Sequence, residues 1–127
     1  MTNPSLRDGL RMPFSKFWPL YLDAHRHPAT RGVHYTATVF GAAMTVLAVA
    51  LGQIWISAAG IAIAVCMAVG SHWSIERNQP LIMVNPFYGA IADLKMCWLA
   101  VTGGLAAEYA RLGLGVPEPK TRGIPAE

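Results

Sequence analysis

From Gly32 to Ile75 the chain contains no Asp, Glu, Lys or Arg. Over all 127 residues 13% are charged and 54% hydrophobic, whereas an average soluble protein is roughly 25% charged. A deficit of this size favours a bundle embedded in lipid. The rival reading is a soluble helical protein with two very apolar central helices. A soluble amphipathic helix shows polar residues at every turn, but Val39 to Leu51 and Ile54 to Gly70 offer only Thr45 and Ser57, which can bond back to their own helix. Cysteine is scarce too: Cys66 and Cys97 exclude a disulfide framework and a thiolate metal site, and are expected as small packing residues. The net charge of +3 is dispersed, and no Lys/Arg stripe alternates with aromatics, which excludes a nucleic-acid surface. The N-terminal stretch has neither a continuous apolar h-region nor a small-residue cleavage site, so no cleaved signal peptide is expected.

The 44 uncharged residues from Gly32 to Ile75 would measure about 66 Å as helix, two passes of a roughly 30 Å hydrocarbon layer. Gly52-Gln53, the one weakly polar break, lies midway between His34 and His72. An antiparallel fold-back there returns His72 to the level of His34, and two imidazoles meet at one membrane face. Arg7, Arg11, Lys16, Arg26 and Arg31 precede the hairpin, and Arg77, Lys95, Arg111, Lys120 and Arg122 follow it. By the positive-inside rule both termini and the histidine end are expected in the cytoplasm.

The expected fold is an all-α integral membrane bundle of about four helices built around this hairpin. Residues 1–13, with Pro4, Gly9 and Pro13, read as a flexible arm, residues 14–112 as the helical domain, and residues 113–127, with three prolines and three glycines, as a disordered tail. Phe14 to Ala24 suits a short headgroup-level helix ended by Pro28, after which Thr30 is a candidate N-cap. His72 to Asn78 should prolong the second span as far as Pro80. Leu81 to Ala92 reads as a kinked or re-entrant piece broken by Asn85-Pro86. Asp93 to Leu112 reads as one more helix, with Gly103-Gly104 as a close-packing point. Trp18, Trp55, Trp73 and Trp98 suit interfacial belts.

Three of the four histidines, His25, His34 and His72, map to one face, and so does Glu76, which stands i, i+4 from His72 and so stacks on the same side of a helix. Titratable groups at a membrane boundary are a functional site by default. Imidazole and carboxylate donors without thiolates suit Fe(II), Mn(II) or Zn(II), and the pattern is equally compatible with a closed zinc site or a bis-histidine haem. Asp93 is a candidate ligand, an acceptor for a histidine N–H, or a helix cap. Arg31, Arg77 and Lys95 are either carboxylate partners or positive-inside anchors.

The order Phe17-Trp18-Pro19-Leu20-Tyr21-Leu22-Asp23-Ala24-His25, then Pro28, Arg31 and His34, an apolar hairpin, Gly70-Ser71-His72-Trp73-Ser74-Ile75-Glu76-Arg77-Asn78-Gln79-Pro80, Pro86, and Asp93-Leu94-Lys95-Met96 carries a resemblance. It resembles the small membrane 2-hydroxy-fatty-acid dioxygenases over about Phe14 to Leu105. The resemblance implies Fe(II), O2 and a 2-hydroxy fatty acid shortened by one carbon, with membrane lipid as surroundings. It carries the family's histidines onto His25, His34 and His72 as metal ligands. Glu76 takes the acidic position, as a fourth ligand or as a group fixing a histidine tautomer, and Asn78 the amide position. His27 has no counterpart and reads as a solvent-facing turn residue. Ser71 stands where a glycine is common, and Lys95 where many members have Arg. The readings left open beside this one are a non-enzymatic membrane module that binds haem or lipid, and another metal-dependent lipid enzyme such as a hydrolase. The hairpin itself is testable: a reporter at Gln53 is expected on the opposite side of the membrane from reporters at either terminus, and same-side labelling of all three would hand the lead to the soluble alternative.

Overall fold

The computed structural model of the chain describes residues 5–119, and among these the secondary structure is entirely helical. There are six α-helices, α1 (Leu6–Gly9), α2 (Phe14–Asp23), α3 (Pro28–Leu51), α4 (Ile54–Ser71), α5 (Pro86–Thr102) and α6 (Leu105–Arg111), of which four have ten residues or more. A π-helical turn over His72–Glu76 extends α4, and a 3-10 turn spans Leu81–Met83.

The hairpin forms where the sequence places it. Gly52 ends α3 in the left-handed region (φ 64°), a conformation glycine adopts without steric cost, and Gln53 starts α4. The segments Pro28–Leu51 and Ile54–Glu76 are long and apolar enough to cross a membrane, with mean hydropathies of 1.5 and 2.0. Only 22% and 11% of their most apolar stretches is buried inside the protein, so most of that surface is left for something outside the fold to cover. These helices support membrane association.

Several boundaries differ from the sequence reading, each for a local reason. Helix α3 begins at Pro28, not after Thr30, because proline is well placed at the first helical position, where its missing N–H has no partner to lose. His27 is the cap, its Nδ1 accepting from the Ala29 N–H at 3.1 Å, and it is half-buried, not solvent-facing. Asn85-Pro86 likewise starts a helix where an interruption was expected: the Asn85 side chain accepts from the Tyr88 N–H at 3.0 Å and Pro86 opens α5. Asp93 therefore sits inside α5 and is no cap. Gly103 (φ 77°) ends α5, and α6 departs at 118°, so Gly103-Gly104 is a bend and not a packing point. Helix α4 continues only to Glu76, since Arg77 turns left-handed (φ 57°) and the Asn78 N–H closes onto the His72 carbonyl at 3.0 Å.

The packed core lies at the histidine end. Phe17, Trp18, Tyr21 and Leu22 of α2 bury against Leu81, Val84, Ala92, Met96 and Tyr109. Trp18 is thus a core residue and not part of an interfacial belt; its Nε1–H donates to Glu108 at 2.8 Å. Within the expected arm, Ser5 caps α1, and a side chain at Gly9 would collide with Val84. At the other terminus Arg26 donates to the carbonyls of Leu114 (2.8 Å) and Val116 (3.0 Å). The rest of the expected arm and tail, residues 1–4 and 120–127, lies outside the described residues.

Tyr109 fastens α6 to the end of α2. Its hydroxyl donates to the carbonyls of Leu22 (2.5 Å) and His25 (3.1 Å), which also accept from the His25 N–H and from Arg31. Because both carbonyls keep a second donor, Tyr109→Phe is expected to cost about 0.5–1.5 kcal/mol, the net worth of a hydrogen bond. Thermal unfolding in detergent should show it as a Tm lowered by several degrees; an unchanged Tm would mean this fastening contributes nothing.

Candidate metal centre

Three elements bring the histidines together. His25 lies just after α2 and is fully buried, His34 is two turns into α3, and His72 opens the π turn at the end of α4. Their donor atoms all lie within 4.8 Å of one another. The Nε2 atom of His25 is 3.3 Å from that of His34 and 3.0 Å from that of His72. The hairpin accounts for the second and third, and the α2–α3 turn adds the first.

Each ring is fixed by what its other nitrogen meets. His25 Nδ1–H donates to the Tyr21 carbonyl at 2.5 Å, and the Tyr21 ring stacks on His25 with centroids 4.0 Å apart. His34 Nδ1–H donates to the Asp93 carboxylate at 3.1 Å. His72 Nδ1–H donates to Asn78 Oδ1 at 2.8 Å, and the amide cannot turn round because Asn78 Nδ2 donates to the Ala24 carbonyl at 3.0 Å. A neutral imidazole has one N–H. With all three spent on Nδ1, the facing Nε2 atoms hold only lone pairs, and no hydrogen bond can join them. Burial, and next to it His34 and His72, hold His25 well below the usual histidine pKa, so proton uptake there is a poor remedy.

A metal ion would resolve the conflict. Nitrogens about 2.0–2.1 Å from a common ion stand roughly 2.8–3.4 Å apart when they occupy neighbouring positions, whereas imidazoles on opposite faces of a haem iron stand about 4 Å apart. The observed spacings suit neighbouring positions on one ion. His25, His34 and His72 can therefore hold a metal, and their tautomers are set for it by Tyr21, Asp93 and Asn78.

The remaining expected residues are distributed around this centre. Glu76 Oε1 accepts from the His27 N–H at 2.5 Å, so its carboxylate braces the start of α3 and is not one of the three converging groups. The i, i+4 spacing located Glu76 on the right turn, but the backbone at the helix start claims it. Asn78 has the tautomer-fixing role that the sequence reading considered for Glu76. Asp93 accepts also from Thr38 Oγ1 and, at 3.4 Å, from Tyr21 Oη. Arg31 donates to the carbonyls of His25 (2.8 Å) and Arg26 (2.7 Å). Lys95 lies 4.5 Å above the Trp18 ring and 3.9 Å from Glu108, and Arg77 is exposed. Tyr21 and Thr38 were missed by sequence reasoning, although each lies four residues from a histidine on the same helical face.

A cavity of about 600 Å³ opens from the centre. Tyr21, His34, His72 and Asp93 form its polar end; Ala37, Gly41 and Thr45 of α3, Ile61, Ala64 and Ala68 of α4, and Gly89 and Leu94 of α5 line the remainder.

A family of known proteins, 2-hydroxy-palmitic acid dioxygenase Mpo1-like, matches residues 12–105. No curated protein and no solved structure matches the chain. The centre yields its own test. Asp93→Asn and Asn78→Ala should each weaken metal binding about 10- to 100-fold in chelator competition, while Glu76→Gln should stay within a few-fold of the unaltered protein. Greater loss in Glu76→Gln than in the other two would return Glu76 to the ligand set.

Proposed function

The chain belongs to the 2-hydroxy-palmitic acid dioxygenase Mpo1-like family, and from that premise we propose that it is an Fe(II)-dependent dioxygenase that converts a 2-hydroxy fatty acid to the fatty acid one carbon shorter. The observation that carries this reading is the convergence of three Nε2 lone pairs at the polar end of an apolar cavity. His25, His34 and His72 would hold Fe(II), which would supply the redox chemistry between a 2-hydroxy carboxylate and O2.

The overall change is R–CH(OH)–COOH + O2 → R–COOH + CO2 + H2O. The bond between the carboxyl carbon and its neighbour breaks, the substrate gives four electrons, and O2 takes them all, so no separate reductant is required. The protein's share is positioning. The Tyr21 carbonyl, Asp93 and Asn78 keep the three Nε2 atoms turned inward. Arg31 and Tyr109 hold the His25 carbonyl, and with it the loop that presents this ring. Tyr21 Oη, which donates to Asp93 at the cavity's polar end, helps hold that carboxylate against His34. Of the three cations expected to meet a carboxylate, Arg31 is engaged by the His25 and Arg26 carbonyls and Lys95 lies against Trp18 and Glu108; exposed Arg77, next to Asn78, is the one we assign to drawing the headgroup in. On the positive-inside rule we assign this face and both termini to the cytoplasmic side.

His72→Ala should remove most bound metal and all O2-dependent chain shortening, because a site with three protein donors cannot readily replace a lost imidazole. His27→Ala should do neither. The measurements are metal content of anaerobically purified protein and mass-spectrometric detection of the shortened acid. Full activity in His72→Ala would remove the metal mechanism, and a Soret band would favour a haem module.

A further inference from the structure

Two matched stripes define the cavity below the metal centre. On α3 they run from His34 through Gly41 to Thr45, and on α4 from His72 through Ala64 to Ile61, in steps of three and four residues that keep one helical face turned to the groove. From His34 to Thr45 the rise is about 16 Å. At that depth the groove meets a polar crossing: Thr45 Oγ1 and Ser57 Oγ are 2.8 Å apart, bridging α3 to α4, and Thr45 is further tied to the Gly41 carbonyl at 2.9 Å. Beyond the crossing lies a second hollow of about 380 Å³, which shares Thr45 and has Ser57 and Ile54 in its wall. The hydroxyl bridge is therefore a partition between two spaces along one seam. Thr45 and Ile61 are exposed at the groove's flank, the side that lipid would cover.

We infer that the groove between α3 and α4 is the binding site for the substrate's acyl tail, entered sideways from the bilayer, and that the Thr45–Ser57 bridge is its floor. This rests on the proposed 2-hydroxy-fatty-acid reading. An ordinary membrane lipid would leave the polar end without a partner. There His34 and His72 are both more than nine-tenths buried, and they turn unprotonated Nε2 atoms toward the space a headgroup would take. A molecule with a metal-binding head and one unbranched tail satisfies both ends. Small residues are what keep the channel open: a Cβ at Gly41 would already be in van der Waals contact with Ala64 at 3.6 Å, so bulk at either position narrows the groove at mid-depth.

The test uses anaerobic, metal-loaded protein in nanodiscs, where binding is read without turnover, and 2-hydroxy acids carrying a photoreactive diazirine at graded positions along the tail. Labelling should move down the seam with probe position, from Ala68 and Ala37 through Ala64 to Thr45 and Ser57. The Thr45→Ala/Ser57→Ala double variant should pass the label of a long tail on to Ile54. Ala64→Leu should weaken binding of tails that reach mid-depth about tenfold relative to tails too short to reach it, the size of effect that overpacking produces, with metal content unchanged. If Ala64→Leu fails to fold, as lost metal would report, labelling of the unaltered protein still decides. Labelling that does not track probe position overturns the inference. So does labelling of the same residues by a diazirine phospholipid that 2-hydroxy acids do not displace, or cross-linking of the seam to a second copy of the chain. Absence of any 2-hydroxy acid binding to the unaltered protein would instead overturn the substrate reading beneath it.

Discussion

Three imidazoles that have each committed their only N–H to a fixed acceptor must face one another with lone pairs, and the folded state depends on how that conflict is met. The acceptors come from three different places: the Tyr21 carbonyl on the same helix as its ring's approach, Asp93 on α5 and Asn78 beyond the π turn. Each also ties down something else. Asp93 gathers Thr38 and Tyr21, and Asn78 holds the Ala24 carbonyl at the end of α2. The network that fixes the tautomers is thus the same one that docks α2, α3 and α5 at the histidine end. A metal there would stabilise these contacts as a group, because its affinity and the packing share the same residues.

The two ends of the molecule solve different problems. Around the centre the protein is dense with aromatic and polar contacts, with Phe17, Trp18 and Tyr109 buried and Glu108 linking Trp18, Lys95 and Arg111. Toward the hairpin tip little is buried, and valines, isoleucines and Trp55 point outward. An apolar shaft of this kind has no hydrophobic reason to close tightly in lipid, where small residues and packing govern helix contact. It leaves a seam between α3 and α4 that is open along its flank and closed by one hydroxyl bridge. Density at one end and openness at the other are what the proposed reaction would require, a rigidly held reactive head and room for a flexible tail.

The π turn over His72–Glu76 joins these regimes. Such turns concentrate at functional sites, where they redirect a side chain without ending the helix. Here the turn ends in Arg77, a non-glycine residue at φ 57°, and closes with Asn78 bonded back to the His72 carbonyl. Histidine 72 and its acceptor are therefore positioned by one short piece of backbone. The same turn sends Glu76 to the His27 N–H, which locks the start of α3 to the end of α4.

The sequence alone determined the hairpin, its turn at Gly52-Gln53 and the meeting of His34 with His72, because a 44-residue uncharged stretch has few ways to satisfy its backbone in lipid and the fold-back symmetry then follows. It also singled out His25 and Asn78 through the family resemblance. It mistook Asn85-Pro86 for a break and Gly103-Gly104 for a packing point, since each motif has two uses and only the neighbouring chain decides between them. Tertiary structure alone decided which polar group serves which histidine. Glu76 shares the π turn with His72 while Asp93 comes from α5, and periodicity ranks Glu76 first. The choice went to Asp93 and Asn78 because the His27 N–H at the start of α3 captures Glu76, a contact 49 residues apart in sequence that no local spacing contains.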